Sequence, residues 1–144
     1  MTNFNNTLMR LYQHEVELCC LYQEWVEHIK TPQVRETIQN FFKKHSHHVA
    51  SLSKLFNWPE NPWGKYKTNK SYLLSYKALN NIRCEEDALK AIQTGELLTI
   101  KAYQHASRQN IEDDTILNIF NQHIIDNQKP YEYTNTQLKV GRKH

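Results

Sequence analysis

Three of the chain's eight histidines fall within four residues, in the run His45-Ser46-His47-His48. Imidazole and carboxylate groups are ligands for divalent transition metals, and they also hold protons near neutral pH. Which of these the run can do depends on the helix face of each residue. At the alternating steps of three and four of a core-facing helix, His45 and His48 share a row with Val34, Ile38, Phe41, Leu52 and Leu55. His47 points elsewhere. Two acids stand in rows of the same kind. Glu15 sits in Leu8, Leu11, Glu15, Leu18, Tyr22, Trp25, Ile29, and Glu96 in Leu89, Ile92, Glu96, Thr99, Tyr103, Ala106. Glu15, His45, His48 and Glu96 are therefore the candidate metal ligands, enough for one Zn²⁺, Fe²⁺ or Mn²⁺ ion. The alternative is a metal-free polar core. Buried charges must be paired, and Glu15 with His48, and Glu96 with His45 or His123, would pair them.

The elements that must position these residues are helices. Glycine and proline number three and four, β-branched alternation is absent, and long segments read at helical period, so the chain is all-α. A first helix is predicted over about Asn5 to Lys30. Thr31 caps a second, with Pro32 at its first position, running to about Phe56. A crossover follows in "NWPENPWGKYKTN", with a short helix over about Lys70 to Asn81. A further helix spans about Glu85 to Gln109, its first turn acidic as the dipole favours. Asp113 or Asp114 caps the last, which runs from about Thr115 into the 130s with the row Ile116, Phe120, His123, Asn127, Pro130, Thr134. Pro130 should kink or interrupt it.

Length and charge bound the function. The 144 residues suggest one domain, 1–144, able to bury a core without disulfides. A net charge of +3, with "LKVGRKH" as the one basic tail, gives no nucleic-acid footprint. No apolar run is long enough for a membrane span, and the N-terminus lacks a signal-peptide layout, so a cytoplasmic protein is expected. Cys19, Cys20 and Cys84 have no disulfide spacing and read as reduced thiols. No phosphate loop, nucleophile elbow or zinc-finger spacing is present.

An internal echo links the two halves. "EVELCCLY", from Glu15 to Tyr22, and "ELLTIKAY", from Glu96 to Tyr103, share a Glu and a Tyr seven positions apart, and each precedes another helix. Two helical hairpins joined by a long crossover resemble the ferritin-like antiparallel four-helix bundle. In its di-iron members two helices each give a Glu and two each give Glu-x-x-His. On that resemblance Glu15 and Glu96 match the single acids, His48 keeps a histidine, and His45 replaces an acid. Asn127 and Pro130 replace the acid and histidine of the last helix. Both bridging acids are thus absent, and ferroxidase or oxygenase chemistry is not supported. Within that superfamily "DALKAIQTGELLTIKAYQHAS", "WGKYKTNKSYLLSYKAL" and "NQHIIDNQKPYEY" are similar to the small bacterial DUF2383 family. This resemblance covers nearly the whole chain and implies a fold and a metal site, with no established activity.

Other residues read as structural. Tyr22 and Tyr103 are core aromatics whose hydroxyls reach polar partners, with electron transfer as the sharper reading. Trp58 and Trp63 pin the crossover. His14, His28, His47 and His105 read as surface residues. Two functions follow. The first is a non-enzymatic bundle with a degenerate metal site, acting as a homo-oligomer or on a protein partner. The second is a protein holding one Fe, Mn or Zn ion through Glu15, His45, His48 and Glu96, for storage, sensing or redox chemistry.

Overall fold

Apolar side chains at steps of three and four build four long helices. In the computed structural model, which describes residues 2–56, 77–109 and 111–142, these are α1 (Thr2–Glu27), α2 (Pro32–Phe56), α4 (Glu85–Ser107) and α5 (Asp114–Arg142). A single turn, α3 (Lys77–Asn80), precedes α4. No strand occurs among the described residues, and none of the helices there is long and apolar enough to cross a membrane.

Local chemistry sets the helix ends. The Thr31 carbonyl accepts the first bond of α2 from Arg35 N at 2.9 Å, which makes it the N-cap residue. Its hydroxyl does not cap α2 but donates to Glu85 Oε2 at 2.9 Å, while Glu85 Oε1 accepts from Lys30 N at 2.6 Å and Thr31 N at 2.9 Å. Glu85 thus serves two ends at once. It opens α4 as one of three acids in its first turn, and it ties that end to the α1–α2 turn. Asp113 caps α5, its Oδ1 accepting from Thr115 N at 2.9 Å and Ile116 N at 3.3 Å.

The long helices close a ring: α1 lies against α2, α2 against α5, α5 against α4 and α4 against α1. Every neighbouring pair is antiparallel. Tyr22 reaches Glu96 whereas Tyr103 reaches Glu15, so α1 and α4 run oppositely. His48 meets Asp126 and Phe41 meets Tyr133 across α2 and α5. Gly95 lets α4 approach α1 closely. A Cβ there would lie 3.0 Å from Trp25 Cη2 and 3.1 Å from Leu18 Cδ1.

The expected inward rows face the interior. Leu8, Leu11, Glu15, Leu18, Tyr22 and Trp25 on α1, and Ile29 just past its end, are all buried, as are Leu89, Ile92, Glu96, Thr99, Tyr103 and Ala106 on α4. The apolar core is divided into two clusters. One gathers around Trp25, Ile29, Ile38 and Ile92, the other around Leu8, Leu11, Leu52 and Phe120. A polar layer lies between them.

One expectation, an interruption at Pro130, needs correction. Pro130 does not interrupt its helix, since α5 continues through it to Arg142. Proline removes one helical N–H, the one that would reach the Asp126 carbonyl, and costs about 3 kcal/mol. Burial of Phe120, His123 and Asn127 before it, and of Thr134 and Leu138 after it, holds both flanks on the core. The Thr134 hydroxyl also donates to the Pro130 carbonyl at 2.8 Å. The short crossover helix covers only Lys77–Asn80 among the described residues. Residues 70–76 of the expected span, with Trp58 and Trp63, lie outside them.

Candidate functional site

The polar layer is assembled from all four long helices. α1 supplies Glu15, α2 supplies His45 and His48, α4 supplies Glu96, and α5 supplies His123 and Asp126; each is buried. His47 is exposed, as its off-row position requires.

Glu15 is the hub. Its Oε1 accepts from His45 Nδ1 at 2.6 Å. Its Oε2 accepts from His48 Nδ1 at 2.6 Å and from the Tyr103 hydroxyl at 2.8 Å. The second nitrogen of His45 meets Glu96 Oε2 at 2.5 Å, and the Tyr22 hydroxyl donates to the same oxygen. Glu15 and Glu96 therefore meet through the His45 ring, with no direct bond between them. The second nitrogen of His48 meets Asp126 Oδ2 at 3.0 Å. An ionised carboxylate only accepts, so a ring nitrogen facing one is in a donor position.

His123 differs. Its ring stacks on His48, with centroids 3.8 Å apart and planes 18° apart. Its Nδ1 lies 2.8 Å from the Tyr103 hydroxyl. That hydroxyl gives its proton to Glu15, so His123 Nδ1–H donates to the hydroxyl oxygen. The Nε2 lone pair is then left without a proton.

Protonation follows from these contacts. Burial alone would raise the Glu15 carboxyl, but the charges and hydrogen bonds of His45 and His48 outweigh it and hold Glu15 well below its usual range. Burial alone would lower the His45 imidazole, yet the Glu96 and Glu15 carboxylates on its two sides lift it to about 10. Burial, reinforced by repulsion from His48, drives His123 down to about 3. Burial and the adjacent carboxylates raise Tyr22 and Tyr103 well above the phenol range, so both remain neutral donors.

His123 is thus a neutral imidazole and His45 a charged one clamped between acids. This bears on which groups could hold a metal. Donor atoms of Glu15, His48 and His123 all lie within 4.8 Å of one another. Ligands on one ion with bonds near 2.1 Å sit about 3.4 Å apart, so modest side-chain movement would bring these three onto it. Glu96 Oε1 is buried without a hydrogen-bond partner among the described residues, as is Asn127 Nδ2. An orphaned carboxylate oxygen beside a cluster of nitrogen and oxygen donors fits a cation. The residues present therefore fit a divalent metal, with Glu15, His48 and His123 nearest to a common centre and His45 and Glu96 beside them.

Sequence reasoning placed Glu15, His45, His48 and Glu96 in one layer and passed over Asp126. It used Asn127 and Pro130 to represent α5, but neither makes a hydrogen bond or ion pair within the cluster. The available signal was His123-x-x-Asp126, the same spacing as His45-x-x-His48. His14 and His28, read as surface residues, are half-buried, whereas His47 and His105 are exposed. Burial lowers His14 to about 4 against the raising pull of Glu15. All three cysteines are free thiols: Cys19 is buried, Cys20 half-buried and Cys84 exposed.

No family model, no curated protein and no solved structure matches the chain.

Proposed function

We propose that this protein is a ferritin-like antiparallel four-helix bundle, akin to the DUF2383 family, that binds one divalent transition-metal ion in its interior. The observation that carries this is the convergence of Glu15, His48 and His123 donors within 4.8 Å, all buried. Two imidazoles and a carboxylate suit Fe²⁺, Mn²⁺ or Zn²⁺. The case for a decayed site rested on α5 having lost its ligands, and His123 and Asp126 remove that ground.

The chain's own groups have separable tasks. His123 is neutral, so it offers a ring nitrogen without adding positive charge. Glu15 supplies charge. His48 supplies a second imidazole, and Asp126, 3.0 Å from its Nε2, orients the ring. His45 stays protonated and holds Glu15 and Glu96 in place. Bound there, a metal would supply Lewis acidity or a redox couple in a site closed to water.

A second reading draws on the same contacts. The bonds of 2.5–3.0 Å among His45, His48, Glu15, Glu96 and Asp126 already form a connected network. Such a layer can serve structure alone, fixing helix register at the centre of the core. Calorimetric titration of Zn²⁺, Mn²⁺ and Fe²⁺ (the last without oxygen) into untagged, metal-free protein separates the two. Metal binding requires one ion per chain, loss of binding in His48→Ala and His123→Ala, and unchanged binding in His47→Ala. No binding of any of the three leaves the structural reading.

A further inference from the structure

We propose that a divalent cation reaches the buried cluster through the seam between α2 and α5, where Asp126 receives it and Lys44 governs its access. This rests on the metal-binding reading above, and it concerns the route rather than the site.

Most approaches to the polar layer are closed. The two apolar clusters seal it above and below. Between α1 and α4 a groove runs past Leu11, His14, Leu98 and Ala102, but no side chain of the cluster lines it, and the Tyr22 and Tyr103 rings are fully buried. Between α1 and α2, Cys19 and Val49 are fully buried, and the Ser46 hydroxyl is turned back to the Phe42 carbonyl at 3.2 Å. Between α4 and α5, Thr99 and Phe120 are fully buried.

Asp126 differs from the rest of the cluster in its partners. Glu15, Glu96, His45, His48 and His123 bond to buried groups. Asp126 faces both ways. Its Oδ2 meets His48 Nε2 on the inside at 3.0 Å and Lys44 Nζ on the outside at 3.8 Å. Its Oδ1 accepts from Gln122 Nε2 at 3.0 Å. The Lys44 side chain is 52% exposed and that of Asp126 5%, so this one carboxylate joins the interior to a solvated cation. From Asp126 the donors continue inward through His48 to Glu15. An incoming cation meets the Lys44 ammonium first, is repelled by it, and must displace it to gain the carboxylate.

The test is the rate at which metal-free full-length protein takes up Co²⁺, followed by stopped-flow absorption. Lys44→Gln and Lys44→Glu are compared with Lys43→Gln and Lys43→Glu. Lys43 is exposed and adjacent in sequence, so each pair changes net charge equally. Melting curves confirm that the variants fold. Uptake should accelerate by about threefold or more at each step from Lys to Gln to Glu at position 44, and by much less at position 43. A flat series at 44, or equal series at both positions, would overturn the route while leaving the site intact. A wild-type protein that takes up no Co²⁺ defeats the metal-binding reading itself, and the route with it.

Discussion

Replacing Glu15 and Glu96 in turn by glutamine probes the polar layer without changing its volume. Glu15 uses both oxygens: one accepts from His45, the other from His48 and Tyr103. A glutamine offers one acceptor oxygen, and its amide NH₂ must then face at least one of these donors. Losing one or two charge-assisted bonds, together with the charge beside His45 and His48, costs about 3–5 kcal/mol. Glu96 is different. The Tyr22 hydroxyl and His45 Nε2 share its Oε2, and Oε1 has no partner among the described residues. A glutamine with its oxygen at the Oε2 position keeps both bonds and loses only charge, at roughly 1–2 kcal/mol. For a chain of this length 1 kcal/mol is about 3 °C in Tm. With chelator present and at neutral pH, Glu15→Gln should therefore melt about 10–15 °C below wild type and Glu96→Gln about 3–6 °C below. The exposed control Glu24→Gln should stay within about 2 °C. Calorimetry or circular dichroism reads all three. If Glu96→Gln costs as much as Glu15→Gln, or more, the assignment of Glu15 as the hub is refuted.

Three further outcomes are expected. Gly95→Ala gains about 1 kcal/mol of helix propensity but puts a methyl 3.0 Å from Trp25. That ring is held by its Nε1 bond to the Leu79 carbonyl at 2.8 Å. Overpacking of about 1–3 kcal/mol should win, with a lower Tm by denaturation; a higher Tm would show that α1 and α4 can part. Metal-free stability should peak near pH 6.5. His45, raised to about 10, contributes stability that is complete below its unfolded value of 6.5 and is lost as pH rises through 10. His123, lowered to about 3, contributes stability that is complete above 6.5 and is lost as pH falls through 3. Urea midpoints between pH 4 and 10 measure this, and a profile rising steadily to pH 10 would contradict the charge on His45. Of the thiols, Cys84 should react first with a thiol reagent in the native protein, and Cys19 only on unfolding; early labelling of Cys19 would place it outside the core.

The inward rows were legible because burial in a long helix is a matter of period. Glu15, Tyr22 and Trp25 on α1, and Glu96 and Tyr103 on α4, fall at steps of three and four, and each such position is buried. The same period separated His45 and His48 from His47. Asp126 escaped because it lies three residues after His123, on the edge of its row toward α2, where only the neighbour's position makes it part of the layer. The sequence echo between the two halves pointed instead to Asn127 and Pro130, since it compares positions along the chain and not partners across the core. His14 is half-buried because it lines a groove between α1 and α4, which no single helix period encodes. Pro130 misled for a related reason. The local cost of proline is written in the sequence, whereas the packing of Phe120 and Leu138 that offsets it is a property of the assembled core.

The most direct test of the account is the thermal melt of untagged native protein before and after exhaustive chelation, with metal content measured on the same sample. Metal binding predicts close to one equivalent of iron, manganese or zinc per chain. At a free metal concentration a hundred times Kd, the ion adds about 2.7 kcal/mol, or about 8–9 °C in Tm. Chelation should remove that increment, re-addition should restore it, and His48→Ala and His123→Ala should not respond. Protein that carries no metal and melts at the same temperature with and without chelator would contradict the account.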